Sequence, residues 1–369
     1  MSDGSFVSSF QLIEKNIFPA LIDPTGLSML RSLCGQLPQG LATFWGLECR
    51  LGEVQPRADI LFEIKRNSPG HRLISGQEPS SFDRLSGEFA VWARLRDFAR
   101  RWADEDQPGM AEIRNLWLEF DSATASDLDD AAALVASPSL FWGTDISAQT
   151  SPDKLHPLFE EMAKFYGDII VPEYLFDVVR SLPQGAVFFQ AGMMISRQQP
   201  VVRLCVNKLS GADSLKWLAD IGWPGDIDKL ATLFDHLRPA VDNVALDLDL
   251  SASGVHQILG LECYQPWAEM DATQWMPLFD MQVDWELSRQ DKASAVLAYP
   301  GRGMSLKDNV IGDATYTFYA MNIHHLKLVF RDARVDEAKA YLGLHRPGIR
   351  YGEIMGESSG PDGDGWFIK

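Results

Sequence analysis

Long apolar runs are missing from this chain. No stretch of about 18 hydrophobic residues occurs, so no membrane-spanning helix is expected. Cationic residues are scarce as well: 33 Lys and Arg stand against 51 Asp and Glu, a formal charge of −18, which argues against non-specific binding to nucleic acid or to an anionic membrane surface. The four cysteines, Cys34, Cys49, Cys205 and Cys263, form no close pair, and reduced, buried thiols are expected in place of disulfides or a zinc site. The common signatures of phosphate, dinucleotide and hydrolase sites are absent too: no P-loop, no G-x-G-x-x-G after a strand, no H-E-x-x-H, no C-x-x-C and no G-x-S-x-G. The first residues, MSDGSFVSSFQLIEKN, meet acidic side chains too early for a secretory leader, and a cytoplasmic location is the expectation.

What is present is a large hydrophobic fraction, 46% of 369 residues, enough for a sizeable core. SSFQLIEKNIFPALI and PTGLSMLRSLCGQL place apolar residues at three- and four-residue spacing and predict two amphipathic helices. The period then changes to two: LATFWGLECRLGE and RADILFEIKR read as antiparallel strands joined by a turn near 53–56. The same order recurs along the chain. Helical FDRLSGEFAVWARLRDFARRWAD precedes strands IRNLWLEFD and SLFWGTDIS, and a helical stretch over 151–182 precedes AVFFQAGMMIS and VVRLCVNKL. DSLKWLADI and DIDKLATLFDHL precede VALDLDLS and QILGLECYQ, and a helical stretch over 273–297 precedes IHHLKLVF and AKAYLGL. The segment 67–81 reads as an irregular insertion, and Gly301-Arg302-Gly303 as a flexible loop.

Short repeats support a recurring unit. Leu37-Pro38-Gln39-Gly40 returns as Leu182-Pro183-Gln184-Gly185, and Gln55-Pro56 as Gln199-Pro200. Five strand-pair and helix repeats predict an α+β fold, a ten-stranded antiparallel barrel with helices outside, because closing so wide a sheet removes both exposed edges. The alternative is two open antiparallel sheets, each covered by helices on one face. One repeat-built domain over 1–355 is expected, with pseudo-repeat halves at about 8–150 and 151–270, a last strand pair near 313–347, and a mobile Gly/Ser/Asp-rich tail at 356–369.

Alternation assigns the inner face. If apolar residues meet the helices, then Glu48, Arg50, Asp59, Glu63, Glu119, Asp121 and Asp145 point inward, as do Arg203, Asn207, Asp247 and Asp249. Glu262, Tyr264, His325, Lys327, Lys339 and Tyr341 complete the set. Carboxylates dominate it, so they must be paired, hydrated or awaiting a cation. His324 and His325, consecutive on a strand, are expected on opposite faces, with only His325 inside. Two acids at i and i+2, as at Asp247 and Asp249 or Glu119 and Asp121, share a face and could hold magnesium; no metal-ligand set is otherwise assigned.

Element order and count up to about residue 347, with Lys339-Ala340-Tyr341 on one predicted strand and Arg203 and Lys327 on two others, resemble the αββα aromatic prenyltransferases, the PT-barrel family. Two departures stand out: there is no dense set of basic inner residues, and only eight tyrosines occur in the whole chain. The resemblance implies transfer of an isoprenoid from a prenyl diphosphate to an aromatic or nitrogen-containing acceptor, a peptide side chain included, with no required cofactor beyond magnesium as an option. Diphosphate contacts would fall to Arg203, Lys327, Lys339 and Arg50, and cation shielding to Tyr341 and Tyr264. Glu48, Glu262, Asp249 and His325 would orient the acceptor and move its proton. The rival expectation is a non-catalytic protein whose acidic interior captures a basic peptide or a small cationic ligand.

Overall fold

The computed structural model describes residues 5–42, 44–104, 106–122, 131–165, 173–193, 201–266, 272–307 and 315–345. The predicted tail at 356–369 lies outside them. The first unit is α1 (Val7–Glu14), α2 (Pro24–Gln36), β1 (Phe44–Arg50) and β2 (Ala58–Lys65). The second is α3 (Pro69–Ser75), α4 (Ser81–Glu88), α5 (Ala90–Trp102), β3 (Asn115–Phe120), α6 (Ala131–Ala136) and β4 (Ser139–Ile146). The third comprises α7 (Pro152–Phe165), α8 (Glu173–Arg180), β5 (Val187–Met193) and β6 (Val202–Asn207), and the fourth α9 (Gly211–Asp220), α10 (Ile227–Leu237), β7 (Asn243–Ser251) and β8 (Gly254–Tyr264). The last is α11 (Met276–Asp284), α12 (Gln290–Leu297), β9 (Gly301–Lys307), β10 (Thr315–Arg331) and β11 (Arg334–His345).

Strands β1 to β8 pair antiparallel in chain order, β8 pairs with β10, and β10 with β11. The ring closes where β11 returns to β1, with Glu48 opposite Tyr341 and Arg50 opposite Lys339. Ten strands therefore make a closed antiparallel barrel, and the two-sheet alternative is excluded. Strand β9 stands outside the ring: it shares with β8 one edge of the long β10, pairing with residues 315–321 while β8 takes 326–330. The reading of Gly301-Arg302-Gly303 as a loop is thereby corrected. Glycines depress strand propensity, but pairing to a neighbouring strand decides the outcome.

Helices cover the outside. Trp45 on β1 packs edge-on against Phe6, ring centroids 5.5 Å apart, and Trp142 on β4 meets Phe98 of α5 at 5.6 Å. Trp92 and Trp102 of α5 are fully buried, and their indole N–H groups donate to the carbonyls of Val135 at 2.7 Å and Ile113 at 2.9 Å. Burying such a ring with its polar edge satisfied contributes roughly 2–3 kcal/mol. The apolar core is thus a shell between barrel and helices, which leaves the inner face of every strand free for polar side chains.

The segment 67–81 is ordered more than its Pro and Gly content suggests. Ser68 accepts from the His71 backbone N–H to start α3, and Gly76 ends it at φ 75°. Ser80 then starts α4 with a reciprocal capping box: its side chain accepts from the helix backbone while its own N–H donates to Asp83 at 3.1 Å. Substituting Ser80→Ala is expected to cost about 1 kcal/mol, read as a lower urea midpoint with an unchanged slope.

Candidate functional site

Register places the inner side chains in layers. Lys327 on β10 lies opposite Lys339 on β11, and two residues along, His325 lies opposite Tyr341. The first pair belongs to a charged layer. Lys339 donates to Glu48 at 2.7 Å and Tyr341 donates to the other oxygen of the same carboxylate. Lys327 donates to Asp247 and stands 3.9 Å from Glu262. Arg203 holds Asp249 with two bonds, 2.8 and 2.9 Å, and Arg50 holds Asp59 at 2.9 Å with Asp121 at 3.7 Å. Glycine makes room for these crossings: a Cβ at Gly260 would lie 2.7 Å from Lys327 Cε and 2.9 Å from Asp247 Cβ.

The ten residues given diphosphate, shielding or proton-transfer roles from the sequence line one lumen, but not every residue expected to point inward does. Asp145 does not. A register shift between Gly143 and Ile146 in β4 turns it outward, where it is exposed and paired with Arg114 at 3.4 Å. Asn207 reaches Asn243 on the neighbouring strand at 2.6 Å.

The second correction concerns the histidines. A bulge between Ile323 and His325 breaks the strict alternation of β10 and brings both rings to the lumen, Nδ1 to Nδ1 2.7 Å apart. His325 stacks on Tyr341 with centroids 4.0 Å apart and lies 5.1 Å from Tyr264; His324 lies 5.5 Å from Phe44, which meets Trp117 edge-on at 5.6 Å. An aromatic layer thus sits directly above the charged one. Phe44 and Trp117 were not singled out from sequence, although each stands two residues before an inward residue, Gly46 and Glu119.

The lumen is not packed solid. Leu61, Trp117, Glu119, Gln190, Tyr264 and Tyr341 lie on strands in the middle of the sheet, yet each keeps solvent-accessible surface. Electrostatics divide its acids. Burial alone would raise Glu48, but Lys339 and Arg50 hold it well below the usual carboxylate range. Burial and the neighbouring Glu48 and Asp59 charges push Glu119 up to about 8. Burial and Asp247 push Glu262 up to about 8 despite Lys327. Burial lowers His324 to about 4 and His325 further below its ordinary value, so both imidazoles are neutral at pH 7.

Glu48, Asp59 and Glu119 each offer a carboxylate oxygen within 4.8 Å of the others, a donor set of the type hard divalent cations use. Lys339, Tyr341, Arg50 and Ser122 already engage Glu48 and Asp59, so the cluster carries its own countercharge. The magnesium expectation for Asp247 with Asp249 meets a different arrangement: each acid binds its own cation, Lys327 and Arg203. Among the described residues no helix is long and apolar enough to cross a membrane. No protein-family model matches this chain, and no curated protein matches it.

Proposed function

We propose that the barrel lumen is a reaction chamber that transfers an isoprenoid from a prenyl diphosphate to a nitrogen-bearing acceptor. One observation carries the reading: the lysine pair, Lys327 opposite Lys339, lies one layer below the aromatic pair, His325 opposite Tyr341. When the carbon–oxygen bond breaks, its electrons leave with the diphosphate, which needs cations, while the allylic carbon becomes positive and needs aromatic faces. Lys327, Lys339, Arg203 and Arg50 would supply the first, and Tyr341 and Tyr264 the second. The acceptor nitrogen forms the new bond to carbon and gives its proton to a carboxylate. Glu262 suits that step best once a bound cationic acceptor has displaced the proton it holds at pH 7, because its raised pKa then makes it a strong base, whereas Asp249 is fixed by Arg203 and Glu48 by Lys339.

A second reading, a binding protein for a cationic ligand, is favoured by the charge balance. Glu48, Asp59, Glu63, Glu119, Asp121, Asp247, Asp249 and Glu262 face Arg50, Arg203, Lys327 and Lys339, and each of these cations already has a carboxylate. A diphosphate must displace those carboxylates or bring a metal with it. Heat unfolding separates the two readings. A ligand at 100 times its dissociation constant stabilises by about 2.7 kcal/mol, a rise in Tm of roughly 3–5 °C. A shift of that size with dimethylallyl or geranyl diphosphate and magnesium is the result expected for the transferase. A shift only with arginine-rich peptides assigns the lumen to binding, and no shift with either removes both readings.

A further inference from the structure

The buried nitrogen His325 Nε2 is the feature that neither ion pairing nor packing explains. The residue is 6% exposed, its ring is fixed against Tyr341, and Nε2 makes no hydrogen bond among the described residues. A buried polar atom left unmet costs about 1–3 kcal/mol, so its persistence in a solvent-accessible lumen points to a group that arrives from outside. Glu262 Oε1 lies 3.6 Å from His325 Nε2, too far for a direct hydrogen bond. The other Glu262 oxygen accepts from Tyr264 at 2.6 Å, Glu262 also shares a hydrogen bond with Asp247, and Oε1, 3.9 Å from Lys327, is the oxygen on the His325 side.

We propose that Glu262 Oε1 and His325 Nε2 together seat one ligand nitrogen that carries two N–H bonds, as in a guanidinium or a primary amine, with His324 as the positioning residue that fixes the His325 ring. Two acceptors 3.6 Å apart can each take one N–H from a single nitrogen. His325 Nε2 accepts when its Nδ1 carries the proton, and that proton is donated to His324 Nδ1 across 2.7 Å. The bulge in β10 is therefore functional: without it the His324 ring would face the helices, and nothing would set the tautomer. The seat deepens the transfer reading by naming the acceptor class. It also stands without that reading, because binding needs no diphosphate.

The seat has a pH signature. Asp247 on β7, Tyr264 on β8, and Lys327 and His324 on β10 face the Glu262 and His325 pair. Glu48 on β1, Tyr341 on β11, and Arg203 and Cys205 on β6 complete the titratable surroundings. Burial and Asp247 keep Glu262 protonated at neutral pH, and a cationic ligand prefers the carboxylate. Binding at pH 7 then expels a proton, and affinity rises as pH climbs through about 8.

Calorimetric titration of the whole chain with agmatine, and with choline as a cation lacking N–H bonds, tests the seat. Agmatine is expected to bind at least about tenfold tighter than choline, with a buffer-dependent heat at pH 7 that reports the released proton. His325→Phe keeps a ring on Tyr341 but removes the acceptor, and should weaken agmatine by about tenfold while leaving choline unchanged; His325→Gln restores part of the loss. Glu262→Gln should abolish the rise with pH. Equal affinities for agmatine and choline in the unmodified protein, or no agmatine binding, overturn the proposal, and neither result depends on a variant folding. A protein that discriminates agmatine in this way, yet is not stabilised by dimethylallyl diphosphate, keeps the seat and loses the transfer reading; the reverse pair of results does the opposite.

Discussion

Replacing Lys339 with methionine should lower the stability of the fold by about 3–5 kcal/mol, the usual cost of removing one partner from a buried ion pair. The pair is far from a surface bridge. The Lys339 and Glu48 side chains keep only 11% and 4% of their exposure, and their 2.7 Å bond links β11 to β1, the seam where the barrel closes. Methionine fills much of the lysine volume, so the loss reports charge more than a cavity. What remains is a Glu48 carboxylate with Arg50 nearby and Tyr341 donating, but without its closest cation. Burial then acts with less opposition and the acid takes up a proton, which limits the damage. Two results follow. The urea midpoint falls sharply at pH 7 and less at pH 5, and adding Glu48→Gln to Lys339→Met recovers more than half of the loss. A single-variant loss below about 1 kcal/mol would mean that water in the lumen screens the pair as it does at a surface.

How far the sequence reveals this arrangement depends on how local the cause is. Alternation over FWGLECR and ADILFEIK is local, since Trp45, Leu47 and Cys49 on the first and Ile60, Phe62 and Ile64 on the second must be buried toward the helices, and it places Glu48, Arg50, Asp59 and Glu63 correctly. The repeated order of helices and strand pairs is readable for the same reason. Register shifts are not local. Asp145 and His324 each sit beside a bulge set by what the neighbouring strand does, and one extra residue sends a side chain to the other face. Strand β9 is hidden because its partner, the first half of β10, extends beyond the segment whose apolar pattern marks a strand. Pairing within the lumen is also out of reach of sequence. Lys327 meets Asp247 from 80 residues away and Lys339 meets Glu48 from 291, so spacing identifies the charges but not which of them neutralise one another.

Raising the pH from 6.5 to 8.5 should weaken the fold, in contrast to proteins whose paired carboxylates are all held charged. Glu119 and Glu262 have folded pKa values raised to about 8 from 4.5. Between those two limits the folded chain keeps both protons while the unfolded chain releases them, so the folded state binds more protons and stability falls as pH rises. Each such group contributes about 1.4 kcal/mol per pH unit until its folded pKa is reached. Over the part of the window below pH 8, the two together account for a loss on the order of 2–4 kcal/mol. The histidines act in the opposite sense and in a lower window. Burial keeps His324 and His325 neutral in the fold, so the unfolded chain binds more protons below about 6.5 and stability is lost as pH falls from there. Glu48, depressed in the fold, adds to that acid loss below about 4.5. Between about 4.5 and 6.5 the two raised carboxyls and the two neutral histidines offset one another, so a stability plateau is expected there, with loss above about 6.5 and below about 4.5. Urea midpoints across pH 4–9 read the profile directly, and Glu262→Gln or Glu119→Gln should each flatten the alkaline slope and, by removing one of the offsetting acids, tilt the plateau so that stability falls from pH 6.5 toward pH 5. A profile that stays level from 6.5 to 8.5 would mean that both carboxyls are already ionised in the folded barrel, and that the lumen holds its acids charged by hydration.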